Sequence, residues 1–193
     1  LTDSTQILNW LEEHYPEHSL YPATDNDRKL MHQEIARFDN WGVHCRLGLF
    51  HAFLPHTRYA AHAFAQGVNP LMRKLYTLVF PLTRIAMKRT MNITDENAEH
   101  SNQQIKEALD YLAEKTIQTG YLVGDCFTAA DLTAASCLHC VAHPPQFPAT
   151  FPSPHATRHQ AWVDRWSAHP ATHWVRDIYA KHRPPSIAIV DID

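Results

Sequence analysis

Residues 121–132 read YLVGDCFTAADL, and the segment that follows, LTAASCLHCVA (132–142), contains no Asp, Glu, Lys or Arg. A Gly-Asp turn lies between Tyr121 and Phe127, and Thr128 stands three residues before Asp131. With Thr128 as N-cap, its hydroxyl accepts from the backbone N–H of Asp131, and the Asp131 carboxylate accepts from the N–H of Thr128. Phe127 and Leu132 then occupy the positions of a hydrophobic staple. Losing such a threonine cap costs on the order of 1 kcal/mol. A helix that is apolar or small on every side offers no face to water, so 129–142 is expected to lie surrounded by other helices. A buried helix end needs side chains to satisfy its free N–H groups, which is what the box supplies.

The flanking sequence is helical as well. Upstream, a helix is predicted from about Thr94 to Thr119 with Ile105, Ala108, Leu109 and Leu112 inward, ended by Gly120. From about Asp27 to the break at Pro55, residues Met31, Ile35, Phe38, Gly42, Cys45, Leu49 and Ala52 recur in steps of three and four, one stripe of a long helix. Gly42 and Gly48 weaken that helix, and their use is predicted to be the close approach of another backbone or a ligand. Asn69-Pro70 reads as an N-cap with proline at the first helical position. In the helix it starts, Leu71, Leu75, Leu78, Leu82 and Ile85 are predicted to be the buried face, with Lys88 and Arg89 at the C-terminal end. DSTQILNWLEEH (3–14) forms one short amphipathic helix. Downstream, HPPQFPATFPSPH (143–155) is an extended loop, and two amphipathic helices follow, around Trp162, Val163 and Trp166 and around Trp174, Val175, Ile178 and Tyr179.

Composition narrows the function classes. The chain has 193 residues, a formal charge of −3 and only five glycines. There is no basic excess of the kind that neutralises nucleic-acid phosphates, and no apolar run approaches the ~20 residues of a membrane span. Cys45, Cys126, Cys137 and Cys140 are unevenly spaced and read as reduced thiols of a cytoplasmic protein. The chain starts at Leu1 in mid-pattern, as a piece of something longer would.

DSTQILNWLEEHYPEHSLYP (3–22) resembles the end of the thioredoxin-like domain of cytosolic glutathione transferases, and GDCFTAADL (124–132) resembles the capping-box and staple motif of their all-helical C-terminal domain. The resemblance implies an all-α helical bundle over 23–193, preceded by a remnant, 1–22, of the last helix and linker of a glutathione-binding domain. It implies glutathione as co-substrate, an electrophilic, largely apolar small molecule as second substrate, and a homodimer. Asp3 and Ser4 match the acidic-Ser pair that holds the γ-glutamyl end of glutathione. A helix N-terminus suits a carboxylate, although the same two residues can serve simply as caps. The second substrate lies against the first long helix of the helical domain in this family, where Trp41, His44, Cys45 and Phe50 are the candidates near the glycines, with packing as their other reading. The thiol-activating residue has no counterpart in this sequence, so the chain alone is expected to be inactive. The rival reading is a non-catalytic helical binding or dimerisation module of the same family.

Other chemistry has less support. Cys137, Cys140 and His143 share one helical face, but no fourth ligand is marked for a tetrahedral zinc, and no metal is expected. The fifteen histidines are read as scattered surface residues. No phosphate loop, nucleophile elbow or HExxH motif occurs.

Overall fold

The structure is a computed structural model that describes residues 4–148 and 151–183. Among the described residues eight helices follow one another: α1 (Ser4–His14), α2 (Asp25–Phe53), α3 (Thr57–Phe64), α4 (Pro70–Thr90), α5 (Asp95–Thr116), α6 (Ala129–Ala142), α7 (Thr157–Ser167) and α8 (Pro170–His182). Among the described residues no strand forms, and a single 3-10 turn, Pro16–His18, follows α1. The predicted all-α bundle is the observed architecture.

Local chemistry sets the helix starts. Thr24 accepts from the N–H of Asp27 to open α2, Asn69 from that of Met72 to open α4, and Thr94 from that of Asn97 to open α5. Thr128 and Asp131 form the predicted box at the head of α6. The Asp131 carboxylate, wholly buried, accepts the N–H of Thr128 at 2.9 Å, its hydroxyl at 2.9 Å and the N–H of Leu122 at 2.8 Å. At the other end of α6 the Ala142 carbonyl accepts Arg176 Nε at 2.7 Å. Gly120 takes positive φ (82°) after α5, the conformation that favours glycine.

The core is the contact of α6 with α2, α7 and α8, and of α2 with α5. Leu138, Val141, Ile105, Leu109 and Leu112 are buried in it together with Phe38 and Leu49. Both α2 glycines sit at close approaches, but side chains come nearest: the backbone of α6 stands behind Cys137 at Gly42, and only side chains meet Gly48. A Cβ on Gly42 would lie 2.8 Å from Cys137 Sγ, and one on Gly48 would lie 3.1 Å from Ile105 and 3.2 Å from Trp162. A second, smaller cluster of Met31, Ile35, Val123, Ala129 and Ala130 receives Leu8 of α1 and Leu20 of the connector. Leu20 is held on both sides: Glu12 of α1 accepts its N–H at 2.6 Å, and its carbonyl accepts the N–H of Ala129, the first residue of α6, at 3.0 Å.

Two expectations fail. Leu71, Leu75, Leu78, Leu82 and Ile85 do not face inward; Leu71 and Leu78 are more than three-quarters exposed. The helix carries a second stripe, Tyr76, Phe80 and Met87, whose aromatics pack on Phe64 and the core, and large rings outcompete leucines for that contact. Nor is α6 covered on every side: Leu132 and Ser136 are exposed and His139 is half-buried. Its covered faces use up the available neighbours, leaving one stripe open.

Candidate functional site

An apolar helix left open along one stripe makes clefts on either side of that stripe. Towards α2, a cleft of about 430 Å³ is lined by Asp39, Gly42, Val43, Arg46, Phe50 and Cys137, with His139 and Cys140 behind. Towards α8, one of about 370 Å³ is lined by Leu20, Phe127, Leu132, Ile178, Tyr179 and His182. Ser136 borders both. Gly42 lies in the wall of the first cleft: with no side chain at that point α2 closes against Cys137, and Asp39 and Arg46 line the cleft about one turn to either side.

Neither Cys137 nor His139 brings a charge into the cleft between α2 and α6 at neutral pH. Burial, aided by the Asp39 carboxylate, pushes the Cys137 thiol up to about 12. The Cys45 thiol is raised as well, first by its hydrogen bond with Cys140 and then by burial. His139 donates from Nδ1 to the Ser136 carbonyl at 2.6 Å, stacks on Phe147 at 3.9 Å, and is held below its usual pKa by burial. At neutral pH these thiols are protonated and the imidazole is uncharged, so they supply neither a thiolate nor a cation. The arrangement suits an apolar guest with polar groups at its mouth, where Asp39 and Arg46 stand.

Of the four residues predicted near the second substrate, one lines this cleft. Phe50 does so while packing on Phe53 and Phe64. Trp41 instead sits among Phe38 and Tyr111, 5.2 and 5.4 Å between ring centroids, under the Arg37 guanidinium. His44 turns to α5, its Nδ1 3.1 Å from Ser101 Oγ and its ring 5.3 Å from His100. Cys45 is fully buried against α6. They share a helix, but 3.6-residue periodicity fans them over three directions. Asp39, Val43 and Arg46 were missed, although they stand one to four residues from Gly42, the signal that marked the groove. Asp3 lies outside the described residues; Ser4 begins α1, and its side chain is outside them too.

A second assembly comes from residues far apart in sequence. The Tyr59 hydroxyl is 2.9 Å from His155 Nδ1 and 2.8 Å from His159 Nδ1, with the His143 and Phe151 rings packed around them in tilted and edge-to-face contacts. These histidines are not all surface residues: His159 is fully buried and His143 half-buried. Burial pulls His159 down to about 3 and His143 to about 4, their neighbouring imidazoles adding to it. Among the described residues no group of three His, Cys, Asp or Glu is placed to hold a metal ion.

An all-helical bundle with a boxed α6 and an apolar cleft beside α2 invites comparison with known helical domains. The model of the glutathione S-transferase C-terminal domain matches residues 72–170, half of the chain, and the protein belongs to that family. Among solved structures it is similar to the beta-etherase LigF from Sphingobium sp. strain SYK-6, at 23% identity and a TM-score of 0.53, covering 92% of this chain and 73% of that one. That likeness bears on the fold alone. No curated protein matches. Among the described residues no helix is long and apolar enough to cross a membrane.

Proposed function

We propose that this chain is the electrophile-binding part of a cytoplasmic, homodimeric glutathione transferase. Residues 1–22 are the last helix and linker of a thioredoxin-like domain, and 23–193 the helical domain. Glutathione is the co-substrate. Its γ-glutamyl end docks at the N-terminus of α1, where Asp3 and Ser4 stand and where free N–H groups favour a carboxylate. The second substrate is an electrophilic, largely apolar small molecule lying in the cleft between α2 and α6, with Val43 and Phe50 against it.

The observation that carries this reading is the cleft itself: apolar walls and a Cys137 thiol held protonated by burial. Such a pocket positions an electrophile but cannot attack it, so the thiolate of glutathione is the nucleophile and its activation comes from elsewhere. The chain by itself therefore binds without turning over. Calorimetric titration with an aryl halide should show binding that Val43→Trp, which fills the cleft, abolishes, and adding glutathione should produce no conjugate. Robust turnover by the chain alone, or binding indifferent to Val43→Trp, refutes the assignment.

A further inference from the structure

The outward face of α4 has a regular pattern. Leu71, Leu75, Leu78, Leu82 and Ile85 follow at steps of 4, 3, 4 and 3, the spacing by which two helices bury one seam against another. The stripe is about 21 Å long at 1.5 Å per residue. Its members are 76, 53, 77, 71 and 44% exposed. Within the molecule α4 packs mainly on α3, through the Tyr76–Phe80–Met87 side opposite the stripe.

We infer that this face is where a second copy of the chain docks, α4 lying side by side and parallel with α4 of the other copy. With the flanking Met72 and Val79 the exposed apolar surface is on the order of 700 Å², close to the ~800 Å² each partner of a stable complex commonly buries and beyond the patches monomers usually show. Charge fixes the direction. Helix α4 carries Arg73, Lys74, Arg84, Lys88 and Arg89 and no acidic residue. Arg84 is turned back to the Pro55 carbonyl and the Thr57 hydroxyl. Lys74 and Lys88 lie on one flank of the seam, and Met72, Val79 and Ala86 on the other. In a parallel pair the lysine flank of each copy meets the apolar flank of the other, so the lysine stems cover methyl groups while their ammonium groups reach water. An antiparallel pair would instead set Lys74 against Lys88 of the other copy.

This names the surface for the two-copy state proposed above and does not depend on the glutathione reading, because its readout is mass rather than conjugation. Light scattering on the full chain at tens of micromolar should give twice the monomer mass. The double change Leu78→Glu with Leu82→Glu should give one copy with an unchanged helical circular dichroism signal, whereas Leu11→Glu on α1 should leave two. In a Cys126→Ser background, Leu71→Cys should cross-link to itself under mild oxidation. A monomeric wild type overturns the inference, as does a dimer that survives the double change. Cross-linking of Leu71→Cys only to a copy carrying Ile85→Cys overturns the parallel arrangement. Sedimentation of a monomeric wild type with phosphatidylserine vesicles, lost in the double variant, would assign the face to lipid and equally overturn it.

Discussion

Replacing Asp131 by alanine tests whether the capping box is what lets α6 lie buried. The carboxylate accepts two backbone N–H groups and one hydroxyl, all at 2.8 to 2.9 Å. Alanine leaves the Thr128 N–H without its partner at a fully buried helix head, and the Leu122 N–H without its partner at a half-buried site. Each stranded donor costs ~1–3 kcal/mol, while the Thr128 hydroxyl can rotate towards another acceptor. Against this, burial holds the Asp131 pKa above the usual carboxylate range despite its donors, so removing the charge returns part of its desolvation cost. The net loss is about 2–4 kcal/mol, a large share of the ~5–15 kcal/mol that stabilises most domains. Asp131→Asn keeps one acceptor oxygen and should lose about half as much. Urea unfolding followed by circular dichroism at 222 nm measures both, with Thr128→Ala as reference. A loss under about 1 kcal/mol for Asp131→Ala would show that the box does not let α6 lie buried.

The buried histidines and the close contacts of α2 and α6 set further outcomes. His143 and His159 are depressed to about 4 and about 3, so the unfolded chain takes up protons near pH 6.5 while the fold does not. Their contribution is intact above pH 6.5 and falls away as the pH drops towards 4, by about 2 kcal/mol each at pH 5. The urea midpoint should fall between pH 7 and 5, and less so in a His159→Phe variant; equal slopes would refute the burial argument. Gly42→Ala places a methyl 2.8 Å from Cys137 Sγ and should cost about 1–2 kcal/mol in urea unfolding, with Gly42→Ala/Cys137→Ala recovering most of it. Arg176→Gln removes the donor to the Ala142 carbonyl and should lower stability by about 1 kcal/mol on the same measure.

Sequence patterning located every helix but α3, the caps at Asn69 and Thr128 and the close approaches at Gly42 and Gly48, because these depend on neighbours within a turn or on residue size. It misjudged α4, whose two apolar stripes, leucine and aromatic, are equivalent to any periodicity argument; only the shape of α3 selects between them. The open stripe on α6 was invisible for a related reason. A helix with no polar face gives no sign of which side its neighbours leave bare. The cluster of Tyr59, His143, His155 and His159 unites α3, α7 and the loop between α6 and α7, and no local rule joins positions about a hundred residues apart. For the cleft, the glycine gave the place, but the helical turn sent Trp41, His44 and Cys45 elsewhere.

The double hold on Leu20 makes the connector a lever. Its N–H belongs to α1 through Glu12 and its carbonyl to α6 through Ala129, so one residue, through the two peptide groups on either side of its Cα, carries any tilt of the first helix to the head of the most deeply seated one. Leu20 also forms a wall of the cleft beside α8. A pull on α1 would therefore change the width of that opening, gearing the two ends of the chain together without any rearrangement of the bundle.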